Sequence, residues 1–384
     1  MIDLSALAGF LVDKYTVLPR RYALALAVGV LTDSGVMAAD VPTPDTNIAT
    51  SKAAKPAAKT VVFIHKDWEL ACDNTRTCRA VGYHRYNNNG NDRDNPLALL
   101  LERQAGVATA TTAKLMLGVY SENETPPESA SLNMRVNGQS LGVMAVVKNS
   151  GIAELNATQT AAVLLALPKV ADVQFVSGKN RWKLSGDGAA AVLLKMDEAQ
   201  GRLGTATALV KKGNASDDGV LAPLPVPVVR MGVIDTSKPV DKRLAAVIKP
   251  LLNPAKDSDC ADLAKTEDAE PLQIWRVNAA KLLVSARCWS AAYNFGHGYW
   301  LVNDKPPYQP QLITDSGSDY SNGIISASHK GRGLGDCWSS EEWVWNGIGF
   351  IHSSASTTGM CKLVAPGWAW SISLYTSRPY PYTS

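Results

Sequence analysis

Little in this 384-residue chain announces chemistry. Nothing reads as a nucleophile elbow between a strand and a helix, which sets aside the serine of an α/β-hydrolase; Ser185-Gly186-Asp187 reads instead as the start of a helix. Gly331-Arg332-Gly333-Leu334-Gly335 is glycine-rich, but Asp336-Cys337 follows where a phosphate loop needs Lys and then Ser or Thr. It reads as a turn that lets backbones approach closely. Runs of Lys or Arg are missing. The 38 basic and 35 acidic residues leave +3, and residues 1–38 hold three of each, so their removal changes nothing. Nucleic-acid binding needs a basic footprint and is excluded; an acidic polymer or a lipid surface is not favoured either. No apolar run approaches the ~20 residues of a membrane-spanning helix. The six cysteines leave no odd thiol to act as a nucleophile.

What is present begins with those cysteines, Cys72, Cys78, Cys260, Cys288, Cys337 and Cys361. An even count behind an export signal points to an oxidising compartment and a disulfide-stapled fold. Residues 1–39 read as that signal. Arg20-Arg21 is a basic region, Tyr22 to Leu31 an apolar one, and Val36-Met37-Ala38 or Met37-Ala38-Ala39 fits a small-residue cleavage site. Asp3 and Asp13 suit such a signal badly, so translation is expected to start downstream of Met1, near Val17. With no cysteine directly after the apolar run, a lipid anchor is not expected, and the Gram-negative periplasm is the expected location. Six cysteines allow 15 connectivities. Separation along the chain favours Cys72–Cys78, Cys260–Cys288 and Cys337–Cys361.

Composition divides the chain further. Residues 40–60 are rich in Ala, Pro, Thr and Lys without hydrophobic period and read as a disordered tether. Residues 61–213 read as an α+β domain, 214–234 as a Pro-rich linker and 235–384 as a Trp-rich β domain. The expected fold class is α+β, mostly antiparallel β, with two β-rich domains stapled by disulfides. In the first, strands are expected over 61–72, 78–86, 97–104 and 113–120. Hairpins are expected over 132–147 (turn Asn137-Gly138) and 173–184, with helices over 158–167 and 188–200. Asp187 is the expected cap of the second helix, whose Ala189, Val192, Leu193 and Met196 share one face. In the second domain a helix capped by Ser237 should line up Leu244, Val247, Ile248 and Leu251. Strands follow, including an Asn346-Gly347 hairpin and a closing strand over 368–375. Cys78-x4-Tyr83 and Cys288-x4-Tyr293 form a faint internal echo on two expected strands.

Three groups of residues are candidates for a site. The tryptophans gather late in the chain. By strand parity Trp343 and Trp345 share a face, as do Trp368 and Trp370; such rings either stack on sugars and anchor partners or fill a core. The Cys72–Cys78 loop, with Asn74 and Arg76, is either a preorganised interaction loop or a hairpin staple. Asp336, Glu341 and Glu342 could supply the carboxyl pair of a glycan hydrolase, although Glu341 and Glu342 should face opposite ways on a strand. His65, Cys72, Cys78 and His84 offer a zinc ligand set, but their spacing lacks a knuckle and the compartment is oxidising, so no metal is expected.

Several stretches resemble a bacterial family known as domain of unknown function 1176. They are Lys66 to Asn74, Cys78 to Tyr83, Lys195 to Arg202, Lys330 to Cys337 and Trp343 to Gly347, and the resemblance spans about residues 60 to 378. The first half more loosely resembles invasion-associated locus B proteins, through a Trp-x-x-x-Cys strand start and a late Ala-rich helix. Both resemblances imply an exported, β-rich protein, and neither brings catalytic residues. The sequence thus reads as a periplasmic, non-enzymatic binding protein without cofactor, whose ligand is an envelope protein or peptidoglycan. A periplasmic enzyme inhibitor acting through the Cys72–Cys78 loop and a cell-envelope glycan hydrolase are the alternatives.

Overall fold

Leu97, Leu99 and Leu101 alternate with Ala98 and Leu100, the period-2 pattern of a strand with two distinct faces. In the computed structural model both of those faces are covered. The structure describes residues 60–85, 95–118, 131–147, 150–253, 260–265, 270–367 and 369–380. The expected signal and all of the expected tether except Thr60 lie outside these, as do Tyr86, 119–120 and Trp368. Residues 55–384 group as a single compact unit.

The first half supplies β1 (Val61–His65), β2 (Trp68–Cys72), β3 (Cys78–Tyr83), β4 (Leu97–Arg103), β5 (Thr111–Leu117), β6 (Ser131–Val136), β7 (Gln139–Ala145), β8 (Ile152–Glu154), α1 (Ala157–Ala166), β9 (Val173–Ser177), β10 (Asn180–Leu184) and α2 (Ala189–Ala199). The span 61–72 is therefore a hairpin rather than one strand: Lys66 adopts φ 54° and turns β1 onto β2. A six-stranded antiparallel sheet runs β1-β2-β3-β4-β5-β8, and a four-stranded one runs β10-β9-β6-β7. Between them Trp68, Leu70, Leu99, Leu101, Leu115, Met134 and Phe175 pack with the inner face of α2. Ala189, Val192, Leu193 and Met196 of that helix are fully buried. Asn137 and Gly138 both have positive φ and make the tight turn between β6 and β7. Asp187 does not cap α2. The cap position is Gly188 at φ 99°, without a side-chain bond, and a Cβ there would lie 2.0 Å from the His65 carbonyl oxygen, so only glycine fits.

The second half supplies β11 (Val228–Arg230), α3 (Leu244–Ile248), β12 (Gln273–Arg276), β13 (Lys281–Ser290), β14 (Phe295–Asn303), β15 (Gln311–Gly317), β16 (Asp319–Ser321), β17 (Ile324–Lys330), β18 (Trp338–Trp345), β19 (Phe350–Thr357), β20 (Ile372–Thr376) and β21 (Arg378–Tyr380). A sheet β12-β13-β14-β15 faces a sheet β16-β17-β18-β19-β20. Leu283, Tyr299, Leu301, Ile325 and Trp345 fill the space between them. On the outer side of the first sheet, Val284, Cys288, Trp300 and Val302 pack under Ile248 and Leu252. The expected long helix is only the five residues of α3. Asp241 accepts from the Arg243 amide through its side chain and from Leu244 through its carbonyl, so the turn starts there and not at Ser237. Ile248 is buried, whereas Val247 and Leu251 are exposed. The β18–β19 connection is four residues, because the Asn346 carboxamide oxygen accepts from the Ile348 and Gly349 amides at 2.9 and 2.8 Å. The internal echo is not structural: Tyr83 is buried in β3, whereas Tyr293 is exposed beyond the end of β13.

The three disulfides join Cys72 to Cys78, Cys260 to Cys288 and Cys337 to Cys361. The fold class is thus antiparallel β in several sheets with few helices, bonded by disulfides. Residues 214–234 run along the first half, where Leu224 donates to the Thr75 carbonyl, and β11 then pairs in parallel with the C-terminal β21.

If α2 anchors the first core as its buried face indicates, Met196→Ala should cost about 3 kcal/mol in urea unfolding. A loss below about 0.5 kcal/mol, the size expected of a surface change, would contradict that packing.

Candidate functional site

A disulfide six residues apart makes a short loop, and its value as a binding site depends on where its polar groups point. In the Cys72–Cys78 loop they point inward. Asn74 is 2% exposed; its amide nitrogen donates to the Thr376 carbonyl at 2.9 Å and its oxygen accepts from the Thr376 amide at 2.8 Å. Arg76 donates to the Ala222 carbonyl at 2.8 Å, and its own carbonyl accepts from Gln200 at 3.0 Å. Asp73 takes the Thr75 amide and hydroxyl and Arg79. The loop is a staple that grips the β20 end and the 220s, not a free inhibitory finger. Cys72 and Cys78 are bonded to each other and so are not available as zinc ligands beside His65 and His84. Among the described residues, Asp336, Cys337 and Cys361 form the one group of metal-ligating atoms close enough to share an ion, and both sulfurs there belong to a disulfide.

A second cluster of polar groups closes the other face of the six-stranded sheet. Met360, Val364, Ala365, Ala369, Trp370 and Ile372 pack with Ala71, Val81, Tyr83 and Ala98. Met360 donates its amide to Glu69 Oε1 at 2.8 Å and to the Tyr83 hydroxyl at 3.1 Å, and Tyr83 donates to the same Glu69 oxygen. Lys362 pairs with Asp67 at 2.7 Å. Burial pushes the Glu69 carboxyl up, against the lowering pull of Tyr83, the Met360 amide and Lys362; burial and the neighbouring Glu69 push the Tyr83 phenol well up. Asp336, one of the hydrolase candidates, is also structural. It is buried, holds Arg332 through two bonds of 2.7 and 2.6 Å and takes the Leu363 amide at 2.8 Å. Burial alone would raise its carboxyl, but the Arg332 and Leu363 bonds hold it below the usual range.

The tryptophans divide. Trp345 is 1% exposed and belongs to the core between the sheets, and Trp370 is buried over the first sheet, so neither is a platform. Trp343 is half-buried, packed on that core from one side. The register places Glu341 on its face and Glu342 on the other: Glu341 lies opposite Ala327 and Ala355, and Glu342 opposite Ser326 and Ser354. Glu341 and Glu342 thus face opposite ways, as strand parity predicts, and make no carboxyl pair with each other. Beside Trp343, His352 lies between two rings, with centroids 5.4 Å from Trp343 and 5.3 Å from Tyr375. Its Nε2 sits 3.1 Å from Glu341 Oε2. The bond to His352 holds the Glu341 carboxyl below its ordinary range, helped by the His352 and His329 charges and opposed by partial burial. His329 packs on Trp289 at 5.2 Å and approaches the Phe295 carbonyl at 3.2 Å. One face of the β16–β20 sheet thus presents a carboxylate between two imidazoles, flanked by indole and phenol rings. This array combines hydrogen-bonding edges with flat apolar faces. Tyr375, His352 and His329 were not among the sequence candidates. The period-2 rule could have found His352, which stands two residues beyond Phe350, the partner of Trp345. The Gly138-Gln139-Ser140-Leu141-Gly142 run has the spacing of a nucleophile elbow, yet Ser140 lies in a hairpin and donates to Asn133 at 3.0 Å.

The fold and these contacts define a disulfide-bonded, mostly antiparallel β protein whose C-terminal segment closes over its first sheet. The chain belongs to the family described as "Protein of unknown function (DUF1176)", which matches residues 62–377. It is similar to the protein named "Uncharacterized protein YpfG" of Escherichia coli K12, at 22% identity over 324 residues, 74% of this chain and 84% of the relative. No solved structure matches.

Asn74→Ala should destabilise the protein by about 2 kcal/mol, because it strands the buried Thr376 amide and carbonyl; an unchanged denaturant midpoint would show the loop to be free. A raised folded-state pKa at Glu69 contributes stability that is fully present below the ordinary carboxyl range and is lost as pH rises through the raised value. The thermal midpoint of Glu69→Gln should therefore gain on that of the native protein as pH rises above the ordinary carboxyl value of 4.5. A difference that stays constant or narrows over that rise would contradict the assignment.

Proposed function

We propose that the protein is a periplasmic, non-enzymatic binding protein whose ligand is a glycan of the cell envelope, held on the face formed by Trp343, His352, Glu341, Tyr375 and His329. The observation that carries this reading is the partly open end of a sheet face, around the exposed Glu341, on which aromatic rings alternate with a carboxylate and imidazoles. Sugars present apolar C–H faces and rings of hydroxyls, and such a surface matches both: rings stack, while Glu341 and the imidazoles exchange hydrogen bonds with hydroxyls. The periplasm is supported by three disulfides, which persist in oxidising compartments. Among the described residues no helix is long and apolar enough to cross a membrane. Hydrolysis would need a second carboxyl facing Glu341 at a defined separation. Of the two candidates, Asp336 is committed to Arg332, and Glu342 faces away and takes the Ser354 hydroxyl at 3.2 Å.

Purified oxidised protein should co-sediment with intact peptidoglycan sacculi in preference to detergent-solubilised envelope proteins. Trp343→Ala and Glu341→Gln should each weaken retention about tenfold. Glu341 is exposed, so its variant keeps the fold if Trp343→Ala does not. Retention unchanged in a folded Glu341→Gln variant, or capture of one envelope protein with no sacculus binding, would overturn the glycan assignment.

A further inference from the structure

A cavity of about 340 Å³ opens beside β12, under the chain between residues 234 and 240. Its walls are mostly apolar: Ile234, Val240, Ile274, Trp275 and Tyr320. The two rings meet at 4.9 Å with a 56° tilt and form one side. The polar part of the lining is asymmetric. Arg276 is buried and fully committed, donating to the Lys238 carbonyl at 3.0 Å, to the Asn278 carbonyl at 3.3 Å and to Asp304 at 2.8 Å. These bonds fix the backbone of Lys238 at the rim. The Lys238 ammonium itself has no ion-pair partner among the described residues. Asp235, which senses its charge, spends Oδ1 on the Ser237 amide at 2.9 Å. An apolar hollow of this size with a few convergent polar groups is the usual form of a small-molecule site.

We infer that this cavity binds a small amphiphilic carboxylate, with an aromatic or branched apolar body against Trp275 and Tyr320 and an acidic head at Lys238. A ring with a short side arm fits the volume, and an acid gives Lys238 a direct ion-pair partner, which none of the described residues provides. None of the five residues of the proposed glycan face lines this cavity, although Tyr320 and Trp343 both lie opposite Ile325, so each site is tested by its own ligand.

Calorimetric titration of the purified oxidised protein with 3-phenylpropionate and with 3-phenylpropan-1-ol tests the inference. The acid should bind, and the alcohol about threefold more weakly, the scale of an exposed ion pair. Lys238→Ala should erase that difference, and Val240→Trp, which fills the hollow, should abolish binding of both. Circular dichroism and the thermal midpoint report whether each variant folds; Lys238 is exposed, so its variant decides if Val240→Trp does not fold. No binding of the acid, equal affinity of the two probes for the native protein, or unchanged binding by a folded Val240→Trp variant would overturn the inference.

Discussion

The amide of Met360 reaches across the molecule to Glu69 and Tyr83, and the arrangement of the two halves depends on that contact. A carboxyl group buried under apolar residues is unfavourable unless its oxygens are satisfied. Here one oxygen accepts the Tyr83 phenol, from the neighbouring strand of the same sheet, and the Met360 amide, which is supplied only when the C-terminal segment lies on that sheet. The docking is thus favoured by the buried pair: lifting the segment would remove the Met360 amide that Glu69 and the Tyr83 hydroxyl both accept. Lys362 on Asp67, the Leu363 amide on Asp336 and Asn74 on Thr376 extend the same logic around the contact. The Cys337–Cys361 bond holds the segment from the side of the second half.

The stretches that carry the family resemblance coincide with these polar joints. Lys66 to Asn74 contains Asp67, Glu69 and Asn74. Lys330 to Cys337 contains Arg332, Asp336 and a bridging cysteine. Lys195 to Arg202 contains Asp197, fully buried, which takes Arg103 at 2.8 Å and the Leu209 and Val210 amides at 2.7 and 3.1 Å. Gln200 answers Arg103 at 2.7 Å and reaches the Arg76 and Arg103 carbonyls. Charged and amide side chains of this kind look like site residues in a sequence. In the fold they hold loops against sheets, and an apolar replacement could not supply the same bonds.

Much of the fold was legible in the sequence because local rules govern it. Asn137-Gly138 located its turn, and the 189-192-193-196 spacing located the buried face of α2. The failures share a cause. Gly188 displaced Asp187 as the cap because the His65 carbonyl lies where a Cβ would go, a contact between distant parts of the chain. Asn74 looked available because its partner, Thr376, is far away in sequence; Asp336 is held both by Arg332, four residues away, and by the distant Leu363 amide. Trp345 and Trp343 share parity but not exposure, since parity gives a face and only the opposing sheet decides which end of it is covered. The candidate site was half visible for the same reason. Trp343 and Glu341 were in view, while His352 and Tyr375 join them through strand pairing.

That pairing makes the second half a sandwich whose inner face is dry near Trp345 and open near Glu341, so the same strand contributes to the core and to the surface. The surface is usable only if the sandwich is held firmly, and the C-terminal segment provides that hold. Native-state hydrogen exchange of the Met360 and Leu363 amides tests this most directly. If the segment closes the molecule as described, both amides exchange as slowly as those of β2 and β3 and are released in the same opening event. Fast exchange of Met360 and Leu363 while β2 and β3 stay protected would contradict the account.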